Sequence, residues 1–254
     1  MHLPLESRRA LERIVSREDP DVRAIFVSGS AARGMATEHS DVDVYVVVTD
    51  EGAARRTTQK SPAVDEIVVT LAQLEAPGAL GTDAWWYRWS FAWVEVLRDE
   101  TGGRLERALA AQATLEGQEQ MEVLVDRLDG YINFAFRSLK GERDGRRLEQ
   151  RLDAAESVTW WLDVLFALAG RVRPYNKYLA WELRTHPIEI CPADEVLTLV
   201  ERMLDGDSDA VRKAFAIVDQ AARGFDQTQG DGRLARTIDS WGEDQLALLR
   251  GSPS

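Results

Sequence analysis

A change of residue pattern near position 101 constrains this chain more than any other feature. Before it, short apolar and β-branched runs alternate with turn residues. Val22–Val27, Asp41–Val48, Ile67–Leu71 and Phe91–Leu97 read as strands, and Leu5–Ser16 as an amphipathic helix. Alternation along the second strand sets Asp41, Asp43 and Tyr45 on one face and Val42, Val44 and Val46 on the other. After the turn Asp99-Glu100-Thr101-Gly102-Gly103, Ala, Leu, Glu and Arg recur at helical spacing. Helices are predicted over 104–116, 118–140, 146–170, 175–184, 193–205, 208–224 and 232–250. The chain therefore reads as α+β, with a sheet domain over 1–101 and an α-helical bundle over 102–254.

Composition narrows the function classes. At 44% hydrophobic and 29% charged, the 254 residues can build packed cores, which excludes wholesale disorder. No apolar run approaches the roughly 20 residues of a membrane helix. The first residues lack the basic-then-apolar order of a signal peptide, so a cytoplasmic protein without membrane partners is expected. One cysteine, Cys191, excludes an intramolecular disulfide and a cysteine-rich zinc site. The net charge of −12 divides evenly, −6 in residues 1–100 and −6 in the remainder. A surface so charged repels a phosphate backbone and argues against a nucleic-acid binder. It leaves room for a nucleotide held locally with a metal, and it suits a cationic small substrate.

The chemistry concentrates in Phe26-Val27-Ser28-Gly29-Ser30-Ala31-Ala32-Arg33-Gly34 and Ser40-Asp41-Val42-Asp43-Val44-Tyr45-Val46. An apolar strand runs into Gly-Ser at a helix start, where outward N–H groups receive phosphate oxygens. Gly29 allows close approach and the Ser30 hydroxyl adds a donor. Arg33, three residues after Ser30, can also reach a phosphate. About ten residues later, Asp41 and Asp43 leave one face of the next strand, and two such carboxylates can share Mg²⁺ with substrate phosphates and water. Metal, phosphate and carboxylates together are what phosphoryl or nucleotidyl transfer requires.

This pattern, GSAARGMATEHSDVDVYVVV, resembles the DNA polymerase β-like nucleotidyltransferase superfamily over about residues 22–71. It is most similar to the small-substrate branch of aminoglycoside and lincosamide nucleotidyltransferases. The resemblance implies a mixed-sheet catalytic domain followed by a helical substrate-binding domain. Asp41 and Asp43 would bind Mg²⁺, two ions in all, while Gly29 and Ser30 hold the β- and γ-phosphates of ATP or another nucleoside triphosphate. The acceptor would be a hydroxyl of a small molecule, aminoglycoside-like antibiotics being one class.

The family also carries a third carboxylate on a neighbouring strand, as second-metal ligand or general base. Asp65 and Glu66 are the candidates. Glu66 is preferred because Glu66-Ile67-Val68-Val69 resembles the acidic-then-apolar strand of the aminoglycoside enzymes, and alternation lets only one of the two face the site. A lysine of the helical domain contacts the triphosphate in many relatives, and Lys177 matches it by position and character. Glu95 is assigned a structural or substrate-contacting role. The cluster Trp85-Trp86-Tyr87-Arg88-Trp89 either walls a substrate pocket or seals the join of sheet and bundle, with the second preferred. Two other readings are open: a catalytically degenerate nucleotide-binding regulatory module, and an AMPylating enzyme of the antitoxin type.

Overall fold

The computed structural model describes residues 3–251. The chain divides into two compact units, Met1–Thr114 and Leu115–Ser254. In the first, the order is α1 (Leu5–Val15), β1 (Val22–Val27), α2 (Gly29–Ala32), β2 (Asp43–Val48), α3 (Asp50–Arg55), β3 (Gln59–Lys60) and β4 (Asp65–Thr70). It continues through α4 (Leu71–Leu74), α5 (Asp83–Tyr87), a 3-10 turn (Arg88–Phe91), β5 (Glu95–Asp99) and α6 (Arg104–Ala113).

Five strands form one mixed sheet in the order β3-β4-β2-β1-β5. β1 is antiparallel to both β2 and β5, β2 and β4 are parallel, and β3 is antiparallel to β4. The two central strands are buried on both faces, which is why they read as nearly continuous apolar runs. On one face Ile25, Val27, Val44 and Val46 pack with Leu11 and Ile14 of α1. On the other, Phe26, Tyr45 and Val47 pack with Leu74, Leu105, Ala108 and Leu109. Phe26 and Tyr45 stack face to face with ring centroids 4.7 Å apart.

The division between units falls at Thr114, later than the Gly-Gly turn suggests. The reason is α6, whose apolar stripe covers the sheet of the first unit instead of joining the bundle. Fully buried Arg88 fastens that helix. Its guanidinium donates to the carbonyls of Ala111, Gln112 and Thr114, at 3.0, 2.9 and 2.8 Å, and so satisfies acceptors that a helix C-terminus leaves open.

The second unit is helical: α7 (Gly117–Arg143), α8 (Arg147–Leu168), α9 (Leu179–Thr185), α10 (Ala193–Leu204), α11 (Ser208–Thr228), α12 (Arg233–Asp239) and α13 (Glu243–Arg250). α7 and α8 pack along their length as a helical hairpin. Gly130 makes room for the Trp160 ring, which a Cβ there would meet at 2.4 Å. The predicted helix over 232–250 is two helices, broken before Gly242 at φ 84°. Among the described residues no helix is long and apolar enough to cross a membrane.

Candidate active site

The site begins where β1 ends. The Ser28 N–H donates to the Asp43 carbonyl at 2.9 Å, tying the loop after β1 to the first residue of β2. Gly29 follows at φ +66°, in the left-handed region that favours glycine. A Cβ on Gly29 would lie 2.1 Å from Asp43 Oδ2. The glycine thus lets the carboxylate lie directly against the loop, and the two halves of the motif meet as their order in sequence predicts. Ser30 is half-buried in α2. That helix is one turn long, so it offers a phosphate its first N–H groups and little macrodipole.

Asp41 is exposed and precedes β2, which starts at Asp43 and not at Asp41 as the alternation suggests. The pairing with β4 nevertheless extends back to Val42, whose carbonyl accepts from the Asp65 N–H at 3.0 Å. In the parallel register Asp43 lies opposite Asp65 and Val44 opposite Glu66. Laterally paired residues share a face. Asp65 therefore stands on the Asp43 face, with Ile67 beside Tyr45 one step along.

Glu66, the residue expected to complete the site, points to the other side of the sheet. Its two carboxylate oxygens accept from the Arg17 guanidinium at 2.8 and 3.1 Å, a fork that raises the Arg17 pKa. Strand alternation admits only one of two adjacent acids to the Asp43 face, and the register puts Asp65 there.

Asp65 is ion-paired to Lys60 at 3.7 Å, its cross-strand partner on β3. A two-residue polar strand leaves no periodic signal, so nothing in the local sequence marks Lys60. Among the described residues no three carboxylate, imidazole or thiol groups converge closely enough to bind a metal by themselves. An Mg²⁺ site with phosphates and waters asks for only one or two carboxylates.

Arg33, expected to reach a phosphate, has its guanidinium turned onto backbone carbonyls. It is buried, stacked 4.1 Å over the Trp89 ring, and its guanidinium donates to the carbonyls of Gly29 at 2.7 Å and Ala92 at 2.6 Å. Longer bonds run to the carbonyls of Trp89 and Ser90, at 3.4 and 3.3 Å. Four acceptors along an irregular backbone hold it inward. Three of them lie at 89–92, where Ala92 falls at the start of the strand read over Phe91–Leu97; β5 begins only at Glu95, which is exposed.

The Trp85–Trp89 cluster divides accordingly. Arg88 and Trp89 fill the core of the first unit, whereas Trp86 and Tyr87 are 62% and 63% exposed. Tyr45, two residues along the strand from Asp43, has its phenol pushed up, first by burial and in addition by the Asp43 carboxylate; a hydrogen bond with Ser90 acts the other way. Lys177 belongs to the second unit, exposed, with its ammonium 4.7 Å from the centre of the Tyr178 ring.

Residues 8–77, which contain every first-unit element described above from the body of α1 through β4, match the family model described as "Nucleotidyltransferase domain". The first unit carries a nucleotidyltransferase domain. It is the domain of a transferase enzyme, and its substrate is a nucleotide. The nucleotidyltransferase match stops before the 3-10 turn at Arg88–Phe91 and before the second unit. No curated protein matches the chain significantly. Among solved structures, a nucleotidyltransferase-like protein from Exiguobacterium sibiricum is similar at 10% identity with a TM-score of 0.42, covering 98% of this chain and 88% of that one. That likeness is too distant to bear on the site.

Proposed function

We propose that this protein moves a nucleoside monophosphate, AMP from ATP in the first instance, onto a hydroxyl of a small molecule and releases pyrophosphate. The observation that carries the reading is the contact between Gly29 and the Asp43 carboxylate, with Asp65 in register on the same face. The donor set fits a hard divalent cation. Asp43 supplies carboxylate oxygens and Asp41 an exposed second carboxylate, which suits Mg²⁺ better than a softer metal. When bound there, Mg²⁺ would offset negative charge on the triphosphate and stabilise it as it develops at the α-phosphorus.

The chain's own residues do the rest. Gly29 and Ser30 hold the β- and γ-phosphates through N–H groups and the Ser30 hydroxyl. Asp41 and Asp43 hold the cation against the loop. Asp65 takes the place the family gives its third carboxylate, and it accepts the proton that leaves the attacking hydroxyl. One acceptor O–P bond forms, the bond to the pyrophosphate oxygen breaks, and the proton passes to the carboxylate. The charge of −12 favours a cationic acceptor, with aminoglycoside-like amines the class to try first.

The test is pyrophosphate release from each nucleoside triphosphate with Mg²⁺ and a panel of amino-sugar and lincosamide acceptors. Two neighbouring substitutions discriminate within it. Asp65→Asn is expected to lower acceptor-dependent release about a hundredfold or more, the scale of a lost general base. Glu66→Gln, which removes only the pair with Arg17 on the far face, is expected to stay within about threefold, since exposed ion pairs contribute little. The reverse ranking would sink the assignment of Asp65.

A further inference from the structure

The position of Arg33 has a consequence for nucleotide binding, and it rests on the transfer reading above. The arginine sits one turn after Gly29, and its guanidinium reaches back to the Gly29 carbonyl at 2.7 Å while reaching across to Ala92 at 2.6 Å. Arg33 and the carbonyls it bonds at 89–92 lie 56 to 59 residues apart in sequence, so no local preference holds them together. A second tie runs parallel to the first. The Ser28 hydroxyl donates to the Ser90 carbonyl, which also accepts from Arg33. The far segment is itself anchored, because the Arg88 guanidinium is bonded to the end of α6 and Trp89 is buried under the Arg33 plane.

We propose that Arg33 is a positioning residue for the phosphate loop. It pins the loop to an anchored wall, so that Gly29 keeps its left-handed turn against Asp43 before a triphosphate arrives. The guanidinium fork is the device, not the charge. Its N–H groups diverge in one plane and can serve several carbonyls at once, which a lysine ammonium at the end of a flexible stem cannot do in the same geometry. Ordering the loop in advance removes an entropic cost from binding, and so the effect falls on nucleotide affinity.

The experiment is magnesium–nucleotide binding to the full chain by isothermal titration calorimetry, with ATP and the other three common nucleoside triphosphates. It is run where circular dichroism shows wild type and variants equally folded. Arg33→Lys and Arg33→Met are expected to weaken binding alike, by about tenfold or more. Arg33→Lys binding like wild type would overturn the proposal, because charge alone would then suffice. A lower Tm with unchanged affinity would also overturn it, since Arg33 would then be an ordinary core residue. If both variants fail to fold, Ser28→Ala decides, because it removes only the parallel tie to Ser90. It is expected to weaken binding about threefold, and wild-type affinity would overturn the proposal. A wild-type protein that binds none of the triphosphates overturns the transfer reading itself, an outcome distinct from equal binding by wild type and variants.

Discussion

Asp43→Asn is expected to lower acceptor-dependent pyrophosphate release about a hundredfold to a thousandfold while leaving the Tm nearly unchanged. The magnitude follows from what one charged group at the reacting phosphate contributes. Loss of a single oriented donor or metal contact costs two to three orders of magnitude in comparable sites. Asparagine keeps the shape of the side chain, and the backbone tie from the Ser28 N–H to the residue 43 carbonyl does not depend on the carboxylate. The fold therefore has little reason to respond. Thermal unfolding measured beside activity checks both halves. Activity within tenfold of wild type would remove Asp43 from the metal site.

Gly29→Ala is the second large effect, and it acts on geometry without touching charge. Two penalties combine. A left-handed φ of +66° costs a residue with a Cβ about 1–2 kcal/mol. The new methyl would also lie 2.1 Å from Asp43 Oδ2, so the carboxylate must turn away or the loop must shift. Either response separates the loop from the acid it has to work with. A loss of about a hundredfold in transfer is expected, together with a Tm lower by several degrees. A double-mutant cycle separates the two penalties. In an Asp43→Ala background the collision disappears and only the backbone strain remains, so Gly29→Ala should then cost less stability. Equal costs in both backgrounds would show that the carboxylate is not what the glycine makes room for.

Much of this protein was legible from neighbouring residues alone. The apolar runs of β1 and β2, the Gly-Ser turn and the helical second half all carry local signals, and each appears in the structure where those signals lie. So does the meeting of Gly29 with Asp43, because a strand, a tight turn and a return strand leave the chain few other ways to close. Where pattern failed, a distant partner had overridden it. Phe91 to Val94 have strand composition, yet Phe91 ends a 3-10 turn that Arg88 anchors to the end of α6, and the carbonyls of Trp89, Ser90 and Ala92 turn to the Arg33 guanidinium. Asp65 and Glu66 are adjacent and chemically alike, and no local rule tells which of them faces Asp43.

Local sequence therefore sets the elements and the chemistry available at one end of the sheet. Periodicity, turn chemistry and residue type are properties of short stretches. Tertiary structure alone decided which acid joins Asp43, that Arg33 turns inward, that Lys60 stands beside Asp65, and that α6 belongs to the sheet. Each of these depends on register or on acceptors far along the chain: a one-residue slip of β4 would exchange Asp65 for Glu66, and the direction of Arg33 is set by carbonyls more than fifty residues away.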